Sequence, residues 1–308
     1  MSRPVPLLLA AAAGGMVVLA FQRLLASVRR AQQAAAADDH ANGAEDKIEQ
    51  GPSLRGPPPH PDWRPPQKQP PPFPGSEMHT VDPAQTTSDV LYPLIISAVV
   101  PRPIAFVSTE NSEGVGNLAP FSYFNVMSHN PPHVAIGFAA SSLRPHGRKD
   151  TLVNILETGE FVVNIMSEWF IEAANHTCGN FDYGDNEMEI SGLTPLPSVK
   201  VKPPRVAESA LHMECVLRHS YELKDPRSGK ATGTIVIGEV LLMHVHEGVA
   251  GRSPSGKLVV DIEKYQPMSR LGGNTYARTS GLFDLPRPDR ALGGQHAQQP
   301  LKYTSTPA

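Results

Sequence analysis

Three short stretches of the chain hold side chains that could act on a small ligand. RPHGRKDT, residues 144–151, puts Arg144, Arg148, Lys149 and Thr151 where a helix is expected to begin. Backbone N–H groups at a helix start, with a cation and a hydroxyl beside them, can hold a phosphate through charge-assisted hydrogen bonds. PRPIAFVST, residues 101–109, adds Arg102 at one end of an expected strand and Ser108 and Thr109 at the other. A basic solvated loop with an ordinary helix cap would use the same residue types, and the residues alone leave both readings open. The third stretch, NLAPFSYFN at residues 117–125, looks like a strand, yet Pro120 in its middle lacks a backbone donor. It is expected to cost the sheet a ladder hydrogen bond, leaving that edge to some partner other than a strand.

Other motifs carry less. GVGNLA, residues 114–119, matches G-x-G-x-x-A after a strand, but Pro120 and a β-prone run follow it, and no acid lies between Glu113 and Asp150 to hold a ribose. GRSPSGK, residues 251–257, has Leu258 where a P-loop needs Ser or Thr for magnesium, and reads as a tight turn. His244 and His246 share one side of a strand without a third ligand, so no metal site is expected. The two cysteines, Cys178 and Cys215, have no CxxC spacing and read as reduced thiols. Cys178 beside His176 as a nucleophile is the sharper alternative, and it requires an electropositive, partly exposed setting.

The elements that position these groups are mostly strands. Residues 103–109, 133–140 and 160–166 are apolar and β-prone, and ENSEGVG before Asn117 reads as a hairpin turn. Between the strands, KDTLVNILETG is expected to form a helix capped by Asp150 and ended by Gly159, and a second helix is expected over residues 167–179. LHMECVLRHSYEL alternates, with Met213, Cys215 and Leu217 on one face and Glu214, Arg218 and Glu222 on the other, predicting a half-exposed strand. DPRSGK turns it back into TGTIVIGEVLLMHVH, where Gly238 suggests a bulge or barrel bend. The fold class expected is mainly β: a closed or nearly closed, Greek-key-like antiparallel barrel with a few short helices.

The composition divides the chain into residues 1–37, a targeting or anchor segment; 38–75, a disordered Pro-rich linker; 76–288, the globular domain; and 289–308, a disordered tail. Residues 4–22 are uncharged, roughly 19 residues that suffice for a membrane-spanning helix. Arg23, Arg29 and Arg30 behind them would leave the rest of the chain facing the cytoplasm or matrix. A mitochondrial presequence is the equal alternative, because Phe21, Leu24, Leu25 and Val28 share a helical face opposite the arginines; a cleaved secretory segment fits less well. GPSLRGPPPHPDWRPPQKQPPPFPG is expected to be an extended spacer, its PxxP patterns following from composition. A net charge of −3 and the lack of a long basic cluster argue against a nucleic-acid surface.

Five blocks together resemble one family. VVPRPIAFVST, NLAPFSYFNVMSHNPPHVAIGF, RKDTLVNILETGEFVVNIM, ISGLTPLPSVKVKPPRVAESALHMECVL and SRLGGNTYAR, in this order over residues 92–288, are similar to the flavin reductase-like, FMN-binding split barrels. The resemblance implies a split β-barrel homodimer with FMN bound non-covalently near the subunit interface. By position it implies that Ser108 and Thr109, the run Asn117, Ala119, Pro120, Phe121 and Ser122, and Lys149, Asp150 and Thr151 surround the flavin, with Arg102 assisting at the phosphate. Asp150 is expected to cap its helix rather than touch phosphate. Tyr276 and Arg278 are candidates for closing the pocket, with a role in the dimer interface as the alternative. The implied activity is that of an NAD(P)H-dependent flavin reductase or a flavin-dependent oxidoreductase or oxygenase, in which the nicotinamide reduces the flavin and the flavin passes electrons to a small-molecule or flavin acceptor. An FMN-binding carrier, sensor or membrane-tethered partner without turnover is the alternative.

Overall fold

The computed structural model describes residues 55–285 except 65, 74, 76, 145 and 254. The expected targeting segment at 1–37, the first part of the linker and the tail at 289–308 lie outside the described residues. Among those described, no helix is long and apolar enough to cross a membrane. The described residues of 55–75 contain no helix, and Arg55 bridges in parallel to Leu282.

In chain order the elements are α1 (Ser88–Ala98), β1 (Arg102–Pro103), β2 (Ala105–Glu110), β3 (Gly116–Phe121), β4 (Phe124–His129), β5 (Pro132–Ala139), α2 (Asp150–Thr158) and β6 (Glu160–Ile165). A 3₁₀ turn (Glu168–Phe170), α3 (Ile171–His176), α4 (Glu187–Ile190), β7 (Pro195–Leu196) and β8 (Arg205–Val206) follow. The long hairpin β9 (Leu211–Lys224) and β10 (Ala231–Val245) leads to β11 (Ala250–Arg252), β12 (Leu258–Val260), α5 (Ile262–Tyr265), β13 (Met268–Arg270) and β14 (Tyr276–Arg278).

Seven strands form one antiparallel sheet in the order β3-β2-β6-β9-β10-β5-β4. Its terminal strands, β3 and β4, are separated in the chain only by Ser122 and Tyr123. Two residues span only about 7 Å, so the sheet must curl until its edges meet, which makes a barrel with a seam at Ser122–Tyr123. Gly137 N–H of β5 donates to Tyr123 O at 2.7 Å, which carries the β4–β5 pairing into the seam. Inside the barrel Phe124, Ile136, Phe138, Phe161, Met213 and Val236 pack together. A second cluster on the outer face of β2 and β3 joins Phe106 and Leu118 to Phe170 and Ala174 of the 3₁₀–α3 segment and Met188 of α4.

Pro120 does not interrupt pairing. Leu118 N–H donates to Glu187 Oε2 at 2.9 Å, away from β2, and main-chain groups two residues apart in a strand face the same way. The missing N–H of Pro120 therefore falls on the open edge, opposite no strand, and the β2–β3 register runs unbroken from Ala105↔Phe121 to Glu110↔Gly116.

Several other expectations are corrected. Residues 117–125 are not one strand but the end of β3, the seam and the start of β4. The helix expected at residues 167–179 breaks into a 3₁₀ turn and the short α3, with Phe170 buried at the junction. Asp150 does not cap α2: Lys149 occupies the N-cap position without a side-chain cap bond, and Asp150 is the first helical residue. Glu214, expected to face solvent, is fully buried and accepts hydrogen bonds from Val199 N–H, Lys200 N–H and His244 Nε2. Gly159 ends α2 in the left-handed region at φ 75°, as its position implies. A register shift sits at Ile237/Gly238, where a Cβ on Gly238 would overlap the Phe161 ring.

Candidate functional site

A cavity of about 290 Å³ opens beside the seam. Asn117, Ala119, Pro120, Phe121 and Ser122 line it from β3 and the turn after it, and Lys149, Asp150 and Thr151 line it from the start of α2. Arg102 reaches it from β1; Cys178, Gly179 and Asn180 come from the segment after α3; Arg270 and Leu271 come from the end of β13. Two regions far apart in sequence thus converge because β3 is an edge strand and α2 packs across its end. The link between them is Asn117 Nδ2, which donates to Thr151 Oγ1 at 3.0 Å with both residues buried.

The α2 N-terminus faces this cavity uncapped. Its N-cap side chain makes no cap bond, so the first N–H groups of the helix are left without the partner a Ser or Asp cap would supply. Lys149, exposed at this point, has no carboxylate partner among the described residues. Asp150 would oppose an anion here, but Arg144 Nε donates to Asp150 Oδ1 at 2.8 Å and its Nη2 to Phe181 O at 2.7 Å, so the carboxylate is neutralised in place. The hydrogen bond to Asp150 holds the Arg144 guanidinium pKa above its ordinary value. Burial pushes the Glu187 carboxyl up, opposed by the bond from Leu118 N–H.

Arg102 lines the cavity but is committed to the fold. It is 7% exposed, and its guanidinium donates to the carbonyls of Ile96, Val99 (2.8 Å) and Leu271 (2.7 Å) and to Ser122 Oγ at 3.3 Å. It locks the C-terminal end of α1, the seam and the β13–β14 turn to one another. Ser108 and Thr109 are not brought to the cavity. Ser108 donates to Pro204 O, and Thr109 Oγ1 accepts from Asn154 Nδ2 at 3.0 Å, so both hydroxyls bond inside the protein. Arg278 also lies elsewhere, exposed and paired with Glu168. Tyr276 stands behind the cavity wall, donating to Asn175 Oδ1 at 2.7 Å.

Sequence reasoning missed Arg270, whose guanidinium stacks on the Tyr276 ring at 4.3 Å, and Glu187. Arg270 had only its place in the SRLGGNTYAR block as a signal, and Glu187, outside all five blocks, had none. Cys178 is exposed beside Arg270 and Tyr276; local desolvation raises its pKa above the ordinary thiol value, partly opposed by Arg270, Tyr276 and Lys149. Of the two strand histidines, His244 bonds Glu214 and His246 Nδ1 accepts from Gly248 N–H at 3.0 Å.

Known proteins resemble this chain in sequence and fold. The chain is 34% identical to nitrilotriacetate monooxygenase component B from Bacillus cereus, with 68% of this chain and 100% of that one covered and a TM-score of 0.62. It is 33% identical to the 2-nitrobenzoate 2-nitroreductase of Pseudomonas fluorescens over 68% of this chain and 96% of that one, with a TM-score of 0.58. A split barrel domain protein from Shewanella frigidimarina, 23% identical over 69% of this chain and 100% of that one, superimposes with a TM-score of 0.57 and shows the shared fold. Residues 97–269 match the Flavin reductase like domain, a span that holds the barrel, the seam and the start of α2. With its sheet edges meeting at Ser122–Tyr123 and more than half its length matched, the chain belongs to the flavin reductase-like split-barrel family.

Proposed function

We propose that the chain is an FMN-dependent oxidoreductase that takes electrons from NADH or NADPH. The observation that carries this reading is the uncapped start of α2, with Lys149 and Thr151, opening into the seam cavity of a flavin reductase-like fold. The phosphate of FMN belongs at Lys149 and Thr151, where a dianion meets free amides, a positive helix end and an ammonium. The flavin ring lies along residues 119–122, whose open edge has no strand to pair with. Bound there, the flavin supplies the two-electron chemistry, and the protein supplies binding, orientation and exclusion of water. Asn117 fixes the Thr151 hydroxyl, and Arg144 keeps Asp150 from repelling the phosphate.

The cavity is small for a ligand of this size. Tyr92 of α1, which lines it, is 60% exposed, and Val126 and Met127 of β4 are exposed apolar side chains at 58% and 55%. A homodimer in which a second copy covers these side chains and adds to the site is part of the proposal.

Titration of the full-length chain with FMN tests the binding reading. Lys149→Ala combined with Thr151→Ala is expected to weaken FMN by about a hundredfold, the equivalent of two charge-assisted bonds at the lower end of their range. Lys149→Ala alone should weaken FMN with unchanged thermal melting, while Thr151→Ala lowers the melting temperature by leaving the buried Asn117 amide without its acceptor. Unchanged affinity would move the phosphate to another place.

A further inference from the structure

Four cations line the seam cavity, and they are not equivalent. Arg102 is spent on main-chain carbonyls and Arg144 on Asp150. Lys149 and Arg270 have no carboxylate partner among the described residues, and both line this one cavity, Lys149 from the start of α2 and Arg270 from the end of β13.

Arg270 is held by two contacts. Its guanidinium lies over the Tyr276 ring at 4.3 Å, and Nη2 donates to Gly273 O at 2.7 Å. Tyr276 is fixed in turn by Asn175. The turn that carries Gly273 is itself anchored: Gly272 packs so closely on Ser97 of α1 that a Cβ would meet Ser97 at 3.2 Å, and Gly273 is left-handed at φ 58°. A guanidinium fixed at its face and at one corner keeps little rotamer freedom to lose on binding, and its planar fork matches a phosphate better than an ammonium does.

We infer that Arg270 is the second arm of a clamp with Lys149 that closes on the flavin's terminal phosphate, and that it makes the site selective for FMN over unphosphorylated riboflavin. This rests on the proposed FMN site. Arg270 is a specificity residue and takes no part in electron transfer. Tyr276 acts only by positioning it, which gives that tyrosine a role distinct from closing the pocket.

The test compares FMN and riboflavin binding to the full-length wild type, Arg270→Ala and Arg270→Lys by quenching of flavin fluorescence at two salt concentrations. The wild type is expected to prefer FMN. Arg270→Ala should lose about ten- to hundredfold in FMN affinity while riboflavin affinity stays within about twofold, and Arg270→Lys should recover part of the loss. The salt dependence of FMN binding should be shallower in Arg270→Ala than in the wild type. Equal losses for both flavins would make Arg270 structural and overturn the inference, as would unchanged FMN affinity. A wild type that binds neither flavin would overturn the FMN reading itself, a result separate from a failure of Arg270 alone.

Discussion

At the scale of single residues, Arg102 is the anchor shared by the end of α1, the seam and the β13–β14 turn. Arg102 and Ser108 have the side chains of a phosphate site, yet the structure gives their donors to carbonyls of α1, the β13–β14 turn and Pro204, all outside the stretch that holds them. Arg102→Ala should therefore cost on the order of 3 kcal/mol in urea unfolding, because it leaves buried carbonyls without donors. A loss of flavin affinity with unchanged stability would show the opposite. His212 illustrates the same limit: an alternating strand gave no sign that its ring would be buried, with Nε2 at 2.9 Å from Val206 O. Burial lowers its pKa to about 4. Below about pH 6.5 the unfolded chain takes up a proton that the folded ring refuses until about 4, so stability falls across that window as the solution is acidified. His212→Gln can still donate to Val206 O and should flatten that part of the pH dependence, read as urea midpoints from about pH 7 to about pH 4. An unchanged slope would assign the acid sensitivity to other groups.

At the scale of elements, periodicity and punctuation located six of the seven strands of the large sheet and both ends of α2. They failed where tertiary context overrides local preference. Helix α1 contains Pro93 and a β-prone run, and is held by Arg102 and by Gly272 against Ser97, contacts no local pattern announces. Glu214 obeys the alternation of β9, but the loop carrying Val199 and Lys200 folds over that face and buries it with its hydrogen bonds satisfied. Gly238 was readable because a lone glycine in a long β-branched run marks a point where the strand bends or lets a neighbour approach closely. Gly238→Val should destabilise the barrel by about 1–3 kcal/mol through overlap with Phe161, measured by denaturant unfolding. A neutral effect would mean that β10 can bend without a glycine.

At the scale of the whole molecule, the expectation of a barrel came from strand number, and its family from five ordered blocks. The seam could not be read, because only the strand order shows that neighbours in the chain are opposite edges of the sheet. That changes the meaning of Pro120: it sits on the open edge and costs no pairing, so the site exists through the seam and not through a broken strand. The exposed apolar side chains of β4 carry the assembly prediction. Val126→Glu should convert a dimer to monomers by light scattering and weaken FMN together with it; a monomeric wild type would contradict the proposed assembly. The central claim, that this chain binds FMN and accepts electrons from a nicotinamide, is tested most directly by anaerobic mixing of the FMN-loaded full-length protein with NADH or NADPH. The account predicts loss of the flavin's visible absorption with at least one donor at a rate above that of free FMN; an unchanged spectrum with both donors, FMN remaining bound, would contradict it.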